Sequence, residues 1–139
     1  MKILVTGGAG FIGSHLVERL VEQKKKVIVL DNLSTGRLEN LKHLLNKIKF
    51  IKCDISKNTD IKKYFKGVQS VFHIAALADI VPSINNPDKY FDANVKGTLN
   101  ILEACRQNKI KKLVYTASSS CYGIPKKYPT TENEKISPQ

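Results

Sequence analysis

The chain of 139 residues is 42% hydrophobic and contains five Pro, a composition typical of a single soluble globular domain and not of a disordered segment. Its net charge is +11, but all except three of the 23 basic residues are Lys, scattered along the chain with Lys24–Lys26 as the longest run. This distribution favours a solvated surface over a nucleic-acid site. The three Cys show no paired spacing, so we predict neither a disulfide framework nor a metal site. The N-terminus is neither a signal peptide nor a membrane span, and we therefore predict a cytoplasmic protein without a membrane segment.

Short apolar runs alternate along the chain with segments of helical periodicity. The apolar runs predict buried strands at residues 3–5, 27–30, 48–51, 68–76 and 113–117. The segments between them predict helices at residues 11–23, 38–45, 61–65 and 88–107, the last with Phe91, Val95, Leu99 and Leu102 on one face. Near-continuous apolar strands alternating with helices indicate a parallel sheet covered on both faces. The predicted fold class is therefore α/β, a doubly wound Rossmann sheet of strand order 3-2-1-4-5.

The last residues do not continue this pattern. Residues 124–139 contain three Pro and little apolar periodicity, so we expect a surface loop there and a compact domain over residues 1–123. A compact domain seldom ends on such a loop. We therefore expect the chain to be truncated before the remaining strands and a substrate-binding portion.

The segment between the first strand and the first helix, TGGAGFIGSH, is rich in glycine. Gly7, Gly10 and Gly13 provide for a tight turn, the approach of a pyrophosphate to the backbone, and close packing of the helix on the strand. The helix N-terminus then offers free N–H groups and the positive end of its dipole to phosphates. Since Asp31 ends the next strand, eighteen residues after Gly13, the pattern predicts a dinucleotide site and not a simple turn.

The same aspartate indicates which dinucleotide is bound. A carboxylate at Asp31 accepts hydrogen bonds from the adenosine ribose and repels a 2′-phosphate. Arg37 is the alternative partner for such a phosphate, but Asp31 is nearer the strand end. The sequence therefore favours NAD over NADP.

Six stretches carry a more specific resemblance: TGGAGFIGSHL, DNLSTG, CDI, VFHIAA, NVKGTLNILEA and ASSSCYG. In this order, from the first strand to Gly123, they resemble the extended short-chain dehydrogenase/reductase family, in particular its nucleotide-sugar epimerases of the UDP-glucose 4-epimerase type. The resemblance implies an NAD-dependent isomerase of carbohydrate metabolism that interconverts nucleotide sugars by transient hydride transfer at sugar C4.

The resemblance also assigns residues to each part of the cofactor. Those around the adenosine half are Asp31, Asn32, Ser34, Thr35 and Gly36 at the ribose, and Asp54 and Ile55 at the adenine. Those around the remainder are Phe11 and Ile12, whose backbone amides meet the pyrophosphate, Ala75 and Ala76, which leave room for the central part, and Asn94, which buttresses the fifth strand and the nicotinamide side. His73 lies within an apolar strand and is predicted to be a structural, hydrogen-bonded histidine.

The catalytic assignment rests on Ser118, counted back from Gly123. In the resembled family this hydroxyl binds the sugar hydroxyl that is oxidised and helps pass its proton to a tyrosine, which comes from a helical Y-x-x-x-K motif. Residues 1–139 contain no such helix: Tyr122 and Lys126 have the spacing, but Gly123 and Pro125 exclude a helix between them. We therefore expect the 139-residue chain to be inactive alone.

The neighbours of Ser118 distinguish between reactions of the superfamily. The related dehydratases carry Asp and Glu in the next two positions, where this chain has Ser119 and Ser120, which favours epimerisation. Two alternatives stay open: a non-catalytic NAD-binding module, and a related nucleotide-sugar dehydratase or reductase. The resemblance implies a nucleotide-sugar substrate and a homodimer of the full-length protein, with no nucleic-acid or membrane partner.

Overall fold

The computed structural model describes residues 1–57 and 59–138, which form one five-stranded parallel sheet flanked by helices. The strands are β1 (Lys2–Thr6), β2 (Lys26–Asp31), β3 (Ile48–Lys52), β4 (Ser70–His73) and β5 (Lys112–Tyr115). They are hydrogen-bonded in the order β3-β2-β1-β4-β5, every pair parallel, which confirms the predicted topology.

All four predicted helical segments are helical, with differences in type, and two short helices lie outside them. The α-helices are α1 (Phe11–Glu22), α2 (Ile80–Asn85), α3 (Pro87–Tyr90) and α4 (Gly97–Gln107), with a π-helical stretch at Phe91–Lys96 that joins α3 to α4. Short 3-10 helices cover Leu38–Leu44 and Ser119–Tyr122, and a 3-10 segment with a kink at Asp60 covers Thr59–Phe65. The predicted helix over residues 88–107 is thus one helical run interrupted by a wider π turn. The short α2 and the Ser119–Tyr122 helix were not predicted.

Alternating side chains of the strands enter two apolar layers, one on each face of the sheet. Ile3 and Val5 of β1 pack with α1 and the Leu38–Leu44 helix, whereas Leu4 packs with the Thr59–Phe65 helix and α4. Helices on both faces therefore bury residues 3–6 of β1. This burial explains why residues 3–5 form a continuous apolar run.

Strand β4 is shorter than predicted, and the two amides that follow it bind the end of β1. The hydroxyl of Thr6, at the end of β1, accepts hydrogen bonds from the backbone N–H of Ile74 and of Ala75, each at 3.2 Å. The N–H of Ile74 also donates to the backbone oxygen of Thr6 at 3.3 Å, which is the last bond of the ladder. Because β1 ends at Thr6, β4 has no residue of β1 to pair with beyond His73 and ends there.

The chain after β5 contains one short 3-10 helix and otherwise neither helix nor strand through residue 138, while Gln139 of the predicted loop lies outside the described residues. Within the described part of the chain, no helix is long and apolar enough to cross a lipid bilayer.

Candidate functional site

The carboxyl ends of β1 to β4 open into one cavity of about 640 Å³. Parallel strands present these ends at the same edge of the sheet, so the loops that follow them meet there. Every cofactor-binding residue proposed from the sequence except Asn94 lines this cavity. These residues are Gly7, Gly10, Phe11, Ile12, Gly13, Asp31, Asn32, Ser34, Thr35, Gly36, Asp54, Ile55, Ala75 and Ala76.

The glycine loop brings the start of α1 to the cavity. Gly7 has a φ of 69°, in the left-handed region that favours glycine, and its N–H donates to Leu30 O at 2.9 Å. A Cβ on Gly13 would overlap the carbonyl oxygen of Gly7, so only glycine lets α1 pack this closely. The N–H groups of Phe11 and Ile12, in the first turn of α1, have no acceptor within the helix and border the cavity. This arrangement suits an anionic ligand.

The Asp31 carboxylate links two of the cavity loops. It is 8% exposed; Oδ2 accepts the N–H of Ala9 at 2.9 Å, and Oδ1 accepts the N–H of Leu33 at 2.8 Å. Each oxygen retains a further lone pair, and Asp31 lines the cavity. Asp31 therefore has a structural role, which the sequence analysis did not anticipate, in addition to its capacity to accept hydrogen bonds from a ligand.

A second carboxylate, Asp54, lies at the end of β3. Its Oδ1 accepts hydrogen bonds from the backbone N–H and the hydroxyl of Ser56, at 3.0 and 2.7 Å. Partial burial alone would raise the pKa of Asp54, but the hydrogen bonds from Ser56 and Asn32 and the nearby charge of Lys57 lower that pKa below its usual value on balance. Asp54 therefore stays an anionic acceptor near neutral pH.

The loop after β4 lines the cavity with small residues and is held in place by the side chain of Asn94. Ala75 and Ala76 line the cavity, and the side chain of Asn94 binds the next residue, Leu77, through both backbone groups. Leu77 N–H donates to Asn94 Oδ1 at 2.8 Å, and Asn94 Nδ2 donates to Leu77 O at 2.9 Å. The sequence analysis placed Asn94 against the fifth strand, whereas the structure shows its side chain bound to the loop after β4.

His73 is the buried, hydrogen-bonded histidine that the sequence predicted. It is 1% exposed, with Nδ1 at 2.6 Å from the Thr6 hydroxyl and Nε2 at 2.9 Å from the Thr98 hydroxyl. Burial lowers its pKa from 6.5 to about 4, so the ring is neutral near pH 7. The Thr98 hydroxyl donates to Asn94 O, which assigns the Nε2–H of His73 as donor to Thr98.

Ser118 lies outside the set of residues that line the cavity. It is exposed, precedes the Ser119–Tyr122 helix, and its Oγ accepts the N–H of Ser120 at 3.2 Å. It follows β5, so it stands at the same edge of the sheet as the cavity. Its predicted catalytic role stays a prediction.

The cavity has further lining residues that the sequence analysis did not name. They are Leu30, Cys53, Ser56, Lys57, Ile74, Leu77, Ala78, Lys89, Asp92 and Ala93. Most are next to predicted residues in the sequence, and this proximity is the only sequence signal that could have identified them. Lys89, Asp92 and Ala93 come from the helical run after α2, where no motif points to a ligand. Among the described residues, no group of three His, Cys, Asp or Glu is placed to hold a metal ion.

The sequence matches a known family over almost its whole length. The family described as "NAD dependent epimerase/dehydratase family" matches residues 3–139. A UDP-glucose 4-epimerase from Lactobacillus helveticus is 41% identical over 140 residues, which cover 99% of this chain and 42% of that protein.

Solved structures agree with the fold. A UDP-N-acetylglucosamine 4-epimerase from Methanobrevibacter ruminantium, in complex with UDP-N-acetylmuramic acid, superposes with a TM-score of 0.90 at 39% identity and covers 99% of this chain and 44% of that one. A UDP-glucose 4-epimerase from Brucella ovis, in complex with NAD, gives a TM-score of 0.89 at 34% identity and covers 99% and 42%. The chain spans less than half the length of each of these proteins.

Proposed function

The chain belongs to the NAD-dependent epimerase/dehydratase family, and on that premise we propose that it is the NAD-binding part of a nucleotide-sugar 4-epimerase. The substrates are UDP-glucose and UDP-galactose or their N-acetyl analogues. The observation that carries the proposal is the single cavity in which the glycine loop, the uncapped start of α1 and two carboxylates meet. Residues 1–123 form the NAD-binding domain, and residues 124–139 lead on toward the substrate-binding portion.

The residues of the cavity fit a dinucleotide from one end to the other. The free N–H groups of Phe11 and Ile12 suit the pyrophosphate, because α1 begins there without a competing side-chain cap. Asp31 suits the adenosine ribose, since its remaining lone pairs accept from the two hydroxyls. Asp54 suits the adenine amine, and the small Ala75 and Ala76 leave space for the central part of the cofactor.

The reaction itself needs the cofactor and Ser118 together. The cavity residues would hold NAD, which would supply the hydride acceptor and donor for the sugar carbon. Ser118, exposed at the same sheet edge, binds the sugar hydroxyl that is oxidised and helps pass its proton to the tyrosine of a Y-x-x-x-K helix in the longer protein. Ser119 and Ser120 are not acids or bases near neutral pH, so they do not support the loss of water that a dehydratase catalyses.

The setting and assembly follow from other features of the chain. Cys105 and Cys121 carry free thiols, which suits the reducing cytoplasm. The apolar residues Phe91, Val95 and Leu99 are more than half exposed on one helical run, and this surface supports a homodimer of a longer protein.

Calorimetric titration of the purified chain with NAD tests the proposal. We expect saturable binding of one NAD per chain. Nicotinamide mononucleotide should bind at least about tenfold more weakly, because it lacks the adenosine half that faces Asp31 and Asp54. A chain that is folded by circular dichroism yet shows no saturable binding of NAD would contradict the proposed function.

A further inference from the structure

Two asparagines outside the cavity lining hold the backbones of two different cavity loops. We propose that Asn40 and Asn100 are positioning residues of the cofactor site, Asn40 for the loop at the pyrophosphate and Asn100 for the loop at the adenine. The assignment of each loop to a part of the ligand rests on the proposed function. The hydrogen bonds themselves do not.

Asn40 acts on the peptide that leads into α1. It belongs to the Leu38–Leu44 helix, and its Nδ2 donates to Ala9 O at 2.9 Å. The N–H of Arg37 donates to the same oxygen at 3.0 Å, while the N–H of Ala9 is held by Asp31. Because Ala9 C=O and Gly10 N–H share one planar peptide unit, a fixed Ala9 oxygen also fixes the orientation of Gly10, the residue that precedes α1.

Asn100 acts on the loop after β3 in the same way. It lies on α4, and its Nδ2 donates to Ile55 O at 2.8 Å. Ile55 C=O shares its peptide plane with Ser56 N–H, which donates to Asp54 Oδ1 at 3.0 Å. Asn100 therefore orients the amide that holds the Asp54 carboxylate, although it lies outside the cavity lining.

The chain provides a matched control in Asn108. Its Nδ2 also donates to backbone carbonyls, Ala104 O at 3.0 Å on α4 and Lys62 O at 3.3 Å on the Thr59–Phe65 helix. Neither acceptor lines the cavity, so a substitution at Asn108 removes the same kind of hydrogen bond without touching residues 7–13 or 53–57. It separates a general loss of stability from a local loss of positioning.

The test measures the affinity of three ligands for the 139-residue chain: NAD, ADP and adenosine, which lacks the phosphates. Asn100→Ala should weaken all three by about tenfold, since all three contain adenine. Asn40→Ala should weaken NAD and ADP by about tenfold but adenosine by less than about threefold. Asn108→Ala should change none of them by more than about twofold. Equal losses for all ligands in both Asn40→Ala and Asn100→Ala, or no loss in either, would overturn the inference.

A second measurement needs no ligand. Amide hydrogen exchange should become faster at Gly10 to Gly13 in Asn40→Ala, and at Asp54 to Ser56 in Asn100→Ala. In each variant, exchange in the other loop should stay unchanged. Asn40→Ser and Asn100→Ser serve if an alanine variant fails to fold. If the wild-type chain does not bind NAD, the proposed function fails. The exchange pattern alone then still decides whether the two asparagines position these loops. Unchanged or uniformly faster exchange in the variants would refute the positioning role.

Discussion

The backbone N–H of Ala9 donates a hydrogen bond of 2.9 Å to Oδ2 of Asp31 across a separation of 22 residues. The other carboxylate oxygen holds the N–H of Leu33 at 2.8 Å. One buried side chain thus joins the glycine loop to the loop after β2. A substitution that removes the charge of Asp31 therefore also removes acceptors that hold these two loops.

We predict that NAD binds at least about tenfold more tightly than NADP, because the Asp31 carboxylate repels a 2′-phosphate. Asp31→Ala should remove most of this preference. It should also lower the free energy of unfolding by about 1–3 kcal/mol, since two partly buried amides lose their acceptor. Calorimetry with both cofactors and urea denaturation measure the two effects. Equal or tighter binding of NADP by the wild-type chain would refute the assignment.

A pair of glycine substitutions separates binding from folding. A Cβ on Gly10 would meet nothing closer than Gly7 O at 3.4 Å, so Gly10→Ala should change stability by less than about 1 kcal/mol. It should nevertheless weaken NAD binding by about tenfold or more, because the added methyl group keeps the pyrophosphate from approaching the backbone closely. Gly13→Ala should destabilise the fold by about 3 kcal/mol, because its Cβ overlaps Gly7. Thermal melts and NAD titrations of both variants check this, and reversed effects would contradict it.

The neutral His73 predicts a pH dependence of stability. Its pKa is about 4 in the folded chain and about 6.5 when unfolded, so between these values the unfolded state binds more protons. The contribution of His73 is fully present above pH 6.5 and is lost as the pH falls toward 4. The free energy of unfolding should drop by about 2.5 kcal/mol from this group between pH 7.5 and 4.5. His73→Gln should show a smaller pH slope over that window in urea denaturation; an unchanged slope would argue against a neutral buried histidine.

Turnover should require sequence beyond residues 1–139. We predict that the chain alone does not interconvert UDP-glucose and UDP-galactose, because it lacks the helical Y-x-x-x-K motif. A chimaera with the remaining portion of the Lactobacillus helveticus enzyme should be active in a coupled assay. In it, Ser118→Ala should lower kcat by about 100-fold or more but change the Kd for NAD by less than about threefold. The control Ser119→Ala should keep most of the activity. Turnover by the chain alone would contradict this prediction.

The exposed helical strip should drive self-association. Phe91, Val95 and Leu99 are 58%, 53% and 63% exposed, and contiguous apolar surface of this kind promotes association. We expect light scattering to report species larger than the 15.6 kDa monomer. Leu99→Lys should reduce their population, whereas Ile136→Lys, which changes an equally exposed residue on the terminal loop, should not. A monodisperse monomer of the wild-type chain would refute the prediction.

Much of the architecture follows from local pattern. Five apolar runs and the helical segments between them predict a doubly wound parallel sheet, since strands buried on both faces must be continuously apolar. The glycine spacing with Asp31 at the next strand end points to the edge where the cavity lies, because each glycine meets a steric demand that is local to the turn. Ser118, identified by family resemblance, also lies at this edge.

Tertiary contacts decide what these patterns do not encode. Strand β4 ends at His73 because its neighbour β1 ends at Thr6, whose backbone and hydroxyl oxygens accept the next two amides. Asn40 and Asn100 reach carbonyls 31 and 45 residues away, so no local spacing marks them as part of the site. Sequence periodicity records which side chains are buried, whereas a hydrogen bond between distant segments depends on how the packed elements bring one donor to one acceptor. The sequence alone therefore determined the fold and the edge of the site, and the packing decided how its loops are held.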